Sequence, residues 1–220
     1  MIAALLSAAS VLLLGPPRVE IERAPERTEL LPPLGDAGTM TLEEALRRRR
    51  SVRTFSPRAL TSAEIGRLLW SAQGITDAAS GGRAAPSAGA IHPLEVLVVT
   101  PEGVFRYAPS RHALERRISG DPRAALARAA LGQEAVRGAA ASIVLAGNIG
   151  KTATKYGARA ERFVLLEAGH AAQNVLLEAV ALGLDAVPIG AFTDADVVQA
   201  VGLRADEAPL YILAVGAPAR

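Results

Sequence analysis

Arg49, Arg50, Ser51 and Arg53 place three guanidinium groups and a hydroxyl within five residues, where a helical pattern is ending. A phosphate dianion wants that set, because guanidinium forks neutralise it through paired hydrogen bonds and a hydroxyl adds another contact. Arginines at a helix end also complement its dipole. That accounts for Arg47 to Arg50 but not for Ser51 and Arg53, which lie past the end. Two other segments offer backbone in place of charge. Pro86-Ser87-Ala88-Gly89 precedes an apolar run, and its small side chains let a ligand approach the main chain while Ser87 supplies a hydroxyl. Pro188-Ile189-Gly190-Ala191 follows a short apolar run in the same manner. Neither is a P-loop or a dinucleotide fingerprint, since G-K-[ST] and G-x-G-x-x-G are both absent. Together the three segments ask for a flat, phosphorylated cofactor.

Composition removes several other chemistries. The 220 residues contain no cysteine, so zinc ribbons, iron–sulfur sites and thiol nucleophiles are excluded, and His92, His112 and His170 are too scattered for a transition-metal site. No metal is expected. Lys and Arg number 24 against 22 Asp and Glu, and aromatic residues make up 4%, which argues against nucleic acid as a partner. Lys151 and Lys155 are the only lysines. An overall bias toward Ala, Arg and Leu explains the arginine count, so each arginine is argued from its position.

The elements that must carry these residues can be read in order. Residues 1–17 open with an apolar run too short to span a membrane, which needs about 20 residues, and resemble a signal peptide or anchor without a basic start. Cytoplasmic placement is the expectation, with export or membrane tethering through residues 1–17 as the alternative. Residues 18–39 read as a proline-rich linker or extended arm, and residues 40–220 as one domain. Thr41 caps a helix with Glu43 and Glu44 in its first turn, and Thr61 with Glu64 forms a capping box for a second that Gly74 stops. Residues 74–93 form a long loop, and loops of that length are usually functional. Residues 94–99 and 104–107 read as a hairpin, Ser110 and Asp121-Pro122 as starts of two helices, and 141–146 as a buried strand. One central helix is expected from about Lys155 to Leu182, buried on several sides, with His170 inside and His112 on the surface. Residues 185–190, a helix capped by Thr193, and a strand over 210–215 complete an α+β pattern.

The order R-R-S-x-R-x-F, L-x-x-L-L-W-x-A-Q-G, P-S-A-G-x-x-x-P-L-E, E-A-G-H-x-x-Q-N and P-I-G-A-F resembles the nitroreductase superfamily, most closely its azoline (thiazole/oxazole-forming) dehydrogenase branch, over residues 30–218. The resemblance implies an α+β fold with a central, mostly antiparallel sheet flanked by helices and a long buried central helix. It implies a homodimer holding FMN in clefts between subunits. Arg49, Arg50, Ser51 and Arg53 would bind the phosphate and ribityl chain. Pro86, Ser87, Ala88 and Gly89, from the partner subunit, would line the isoalloxazine. Pro188, Ile189, Gly190 and Ala191 would present backbone to the ring. Lys155-Tyr156 matches a pair used near the substrate, where a lysine or tyrosine could take a proton as hydride leaves. His92 and Thr154 stand where that branch has tyrosine and leucine. A basic C-terminal residue that assists the phosphate in relatives could only be Arg220.

The activity implied is two-electron hydride transfer through flavin, either azoline dehydrogenation on a peptide or NAD(P)H-dependent reduction of nitro or quinone acceptors. The alternative is a flavin-lacking structural or partner subunit of a peptide-modifying complex.

Overall fold

The computed structural model describes residues 27–35 and 38–219. The expected segment 1–17 and Arg220 lie outside the described residues. The strands are β1 (Thr28–Leu30), β2 (Ile75–Asp77), β3 (Gly82–Arg83), β4 (Leu94–Thr100), β5 (Gly103–Ala108), β6 (Ala113–Ser119), β7 (Ala141–Gly147), β8 (Asp185–Ile189) and β9 (Ala208–Gly216). The helices are α1 (Leu42–Arg48), α2 (Ser62–Gln73), α3 (Arg123–Ala129), α4 (Glu134–Gly138), α5 (Ile149–Tyr156), α6 (Ala160–Ala181) and α7 (Asp194–Val201).

β4 and β7 are apolar at successive positions, so both of their faces must be covered. Val96, Val98, Ile143 and Leu145 pack with Leu68 and Leu69 of α2 and Val164 and Val175 of α6. Leu97, Val99, Val144 and Ala146 point the other way, onto Leu126 of α3, Val136 of α4 and Val197 and Val201 of α7. The resulting sheet has the order β1-β6-β5-β4-β7-β9-β8, with every neighbouring pair antiparallel. This is the helix-flanked, antiparallel α+β architecture expected, with α6 as the long central helix. Two of the local start signals hold: Thr41 accepts the Glu44 N–H at 3.2 Å, and Thr61 and Glu64 complete their capping box; Thr193 stands at the N-cap of α7, but its side chain makes no capping hydrogen bond.

Three local expectations are corrected. Residues after Ser110 form β6, not a helix; Ala113, Leu114 and Ile118 are needed to extend the sheet beside β5, and tertiary pairing overrides the charged Glu115-Arg116-Arg117 stretch. The pattern from Lys155 to Leu182 is two helices, broken at Gly157, whose φ of +53° lets the chain turn between α5 and α6. His170 is exposed and His112 half-buried, the reverse of the expectation. His112 Nδ1 lies 2.9 Å from the Tyr107 hydroxyl and its Nε2 3.1 Å from the Pro32 carbonyl, tying the segment around β1 to the sheet.

One ion cluster sits inside this frame. Arg106 of β5 donates to both oxygens of Glu207 at 2.9 and 2.8 Å and to Glu95 of β4 at 2.5 Å, fastening the turn before β9 onto the sheet.

Candidate active site

Ser51 forms a parallel bridge with Ala186, and the Val52 N–H donates to the Ala186 carbonyl at 3.1 Å. The arginine group therefore lies along the outer edge of β8. Arg49 is half-buried, and Arg50 and Arg53 are exposed. Arg50 donates to the carbonyls of Arg47 and Arg49, both at 2.8 Å. Arg48 is paired with Glu44, but among the described residues no carboxylate lies within ion-pair distance of Arg49, Arg50 or Arg53. Their charge is left for something else. β8 runs on from Ala186 into Pro188-Ile189-Gly190-Ala191, of which Ile189 is buried and Gly190 and Ala191 exposed. Gln133 Nε2 holds the Ala191 carbonyl at 2.9 Å, so this turn is anchored.

The other predicted segments meet elsewhere. Ala88–Ala90 is a single turn of 3₁₀ helix in which Gly89 has φ +62°. Pro86 and Gly89 are exposed, Ser87 and Ala88 half-buried. α5 brings Lys155 and Tyr156 onto this turn: a β-carbon on Gly89 would lie 2.7 Å from both Lys155 Nζ and the Tyr156 hydroxyl. Tyr156 is oriented by an edge-on contact with Phe163, with ring centroids 4.8 Å apart. α5 is itself fixed by Asn148, which accepts the Lys151 N–H at 2.8 Å and donates to Asp206 at 2.7 Å. An amine, a phenol and a bare backbone turn thus share one small surface.

The two groups stand apart in a single chain. Ala186, beside Ser51, pairs with Val215, whereas Leu94, which follows the Ser87 loop, pairs with Gly147, and Gly147 pairs with Ala208. The seven residue-to-residue steps along β9 from Ala208 to Val215 separate these levels by roughly 23 Å along the sheet.

Sequence reasoning missed a buried polar network under the Ser87 turn. Glu167 of α6 is 3% exposed. It accepts from Gln73 Nε2 at 3.4 Å and from the Ser87 hydroxyl. Burial pushes the Glu167 carboxyl above its ordinary range, against the hydrogen bonds from Ser87 and Gln73 and the charges of Arg83 and Lys151. Arg83 donates to Gln73 Oε1 at 2.9 Å, and burial lowers its guanidinium. The His92 N–H donates to Ser87 Oγ at 2.9 Å, and Lys151 Nζ donates to the His92 carbonyl at 3.1 Å. Burial, then Arg83 and Lys151, hold the His92 imidazole below its usual value. The available signal was a carboxylate in the otherwise apolar face shared by Val164, Ala168 and Ala171.

α6 also carries an uncovered apolar stripe. Leu165 and Leu166 are 50% and 51% exposed, and with Ala158, Glu161 and Arg162 they line an open pocket of about 420 Å³. The expectation that α6 is covered on several sides therefore fails at Leu166 within one chain.

The nitroreductase family pattern matches residues 46–217. A Methanocaldococcus jannaschii protein assigned as a nitroreductase is 39% identical over 189 residues, 83% of this chain and 94% of that one. A crystal structure from Ralstonia eutropha assigned likewise superposes with a TM-score of 0.81 at 29% identity, covering 92% of this chain and 96% of that one. A chain of the Escherichia coli microcin synthetase McbBCD complex, solved with truncated pro-MccB17 bound, has a TM-score of 0.68 at 25% identity over 87% of this chain and 79% of that one.

Proposed function

This chain belongs to the nitroreductase family of oxidoreductases, and from that premise we propose that it is an FMN-dependent enzyme that works as a homodimer. The observation that carries the reading is the set of guanidinium groups at Arg49, Arg50 and Arg53 at the edge of β8, which among the described residues have no carboxylate within ion-pair distance. Three fixed positive charges and the Ser51 hydroxyl fit a terminal monophosphate, and no dinucleotide motif is present for a second nucleotide. Pro188-Ile189-Gly190-Ala191, farther along the same strand, offers backbone to the ring. Strand pairing sets Leu94, which follows the Ser87 turn, well along the sheet from the arginine group, and this supports supply of that turn by the partner subunit. Leu165 and Leu166, with Leu42 and Leu46 of α1 also exposed, provide apolar surface for that partner.

When bound, FMN supplies a hydride acceptor or donor at N5, and the protein binds, orients and tunes it. Lys155 and Tyr156, converging on Gly89, are placed to hold or receive a proton from a substrate on the same surface. Removing a hydride and a proton from an azoline yields the aromatic azole, and the amine or phenolate is the base that this requires. We favour that direction because the pair is present; its likeness to the microcin synthetase chain supports a peptide substrate. The greater identity to the M. jannaschii protein favours the second reading, NAD(P)H-dependent reduction of nitro or quinone acceptors.

The test is purification with an absorption spectrum. A yellow protein that releases FMN on denaturation supports the reading, and a protein that stays colourless with excess FMN overturns it. Turnover of an azoline peptide against turnover of NAD(P)H with a nitro acceptor then separates the two directions.

A further inference from the structure

Nothing in the proposed activity uses Glu167, yet its surroundings are built with care for a carboxyl. Gln73 is fully buried, with its amide N–H₂ on Glu167 and its oxygen held by Arg83. The charged groups facing Glu167 are Arg83 from β3 and Lys151 from α5; α2 presents the neutral Gln73, and the turn before β4 presents Ser87. The run Arg83, Gln73, Glu167, Ser87 and the His92 N–H is continuous, and it ends under the turn that carries Gly89.

A hydroxyl has one proton and two acceptor sites. The His92 N–H occupies one acceptor site of Ser87. With Glu167 ionised, the Ser87 proton is committed to the carboxylate, and only a lone pair is left for a ligand. With Glu167 protonated, the carboxyl O–H can donate to Ser87 Oγ, and the Ser87 proton turns outward. The proton gained by Glu167 comes from solvent, and no bond of Ser87 is broken.

We propose that Glu167 is a positioning residue whose protonation sets whether Ser87 donates to, or accepts from, the ligand atom against the Ser87–Gly89 turn. This rests on the reading that the turn faces a flavin. Reduction converts ring nitrogen of a flavin from hydrogen-bond acceptor to donor, so a hydroxyl with reversible polarity suits both states. The depth of Glu167 makes the switch effective, since a buried carboxyl responds to charge nearby far more than an exposed one.

The test compares wild type, Glu167→Gln and Ser87→Ala, each loaded with FMN, by midpoint potential across about pH 4 to about pH 9. Wild type should show a break in the potential-against-pH slope at the Glu167 ionisation. Glu167→Gln, whose amide imitates the protonated acid, should lose the break while binding FMN within about threefold of wild type. Ser87→Ala should shrink the break with Glu167 intact, which keeps the proposal testable if Glu167→Gln does not fold. Thermal unfolding of the flavin-free proteins is the second readout: the melting temperature of Glu167→Gln minus that of wild type should rise with pH, because only wild type must ionise a buried acid. An unchanged break in either variant, or a flat difference between the flavin-free proteins, overturns the role of Glu167. A wild type that binds no FMN overturns the flavin reading and this role with it, whereas a yellow protein with an unaltered break overturns this role alone.

Discussion

Lys155 Nζ stands where Gly89 must have no side chain, since a β-carbon there would come within 2.7 Å of the amine. The Tyr156 hydroxyl makes the same demand at the same distance. Gly89 is thus favoured by its φ of +62°, and any side chain there would push aside the two polar ends that close over it.

Gly89→Ala should therefore separate folding from function. The backbone cost of a left-handed alanine is about 1 kcal/mol, and the two side-chain ends can swing away at little further expense. Flavin-free stability should fall by roughly that amount in urea titration. Turnover should fall at least about tenfold, because the amine and phenol no longer share the surface of the turn. Turnover equal to wild type would remove Lys155 and Tyr156 from the reaction.

Arg106→Ala should be the most damaging of these substitutions to stability. It strands Glu207, whose side chain is 2% exposed, and unfastens Glu95. Breaking a buried pair by removing one partner costs about 3–5 kcal/mol. Burial is the largest single influence and raises the Glu207 carboxyl, but the Arg106 hydrogen bond, the Arg204 N–H and the charges of Arg106 and Arg204 together outweigh it and hold the group below the ordinary glutamate range. A carboxyl with a lowered folded value contributes stability above the unfolded value of about 4.3, and that contribution is lost as pH falls through the folded value. Wild-type melting temperature should accordingly drop on acidification below about pH 4.3, and the drop should be smaller in Arg106→Ala.

What was legible in the sequence was mostly short in range. The Thr61–Glu64 box, the cap at Thr41 and the stop at Gly74 need only neighbours within a few residues, and all three are present. The Arg49 to Arg53 group could be seen because its members are contiguous. β6 was misread because its pairing with β5 shifts register between Val104 and Phe105 and leaves a polar stretch inside a strand. The Glu167 network was invisible for another reason: Gln73 and Glu167 are 94 positions apart, and only the packing of α2 on α6 joins them. The exposure of Leu166 shows the limit of periodicity, which reports an apolar face but not whether this chain or a second copy covers it.

Replacing both Leu165 and Leu166 by Glu tests that second copy. Each is about half exposed in the single chain, so the folded monomer should keep its helical circular dichroism. Light scattering should shift from dimer to monomer. FMN affinity should fall at least about tenfold, because the proposed site takes its Ser87 turn from the partner subunit. A monomer that keeps wild-type FMN affinity would show that one chain completes the site.

Arg53→Ala tests the proposed phosphate contact. Arg49 and Arg50 adjoin other arginines, and Arg50 is partly spent on the carbonyls at the end of α1. Arg53 is exposed, lies beyond that helix end and meets no carboxylate among the described residues. A charge-assisted bond to the phosphate is worth about 1.5–3 kcal/mol, so the substitution should weaken FMN binding about ten- to a hundredfold. Its effect on flavin-free stability should be only a few tenths of a kcal/mol, as for an ordinary surface position (~0.5 kcal/mol or less). FMN titration by fluorescence quenching, beside thermal unfolding of the flavin-free proteins, gives both numbers. Equal FMN affinity in the two proteins takes Arg53 out of the site, and a large loss of flavin-free stability makes its role structural.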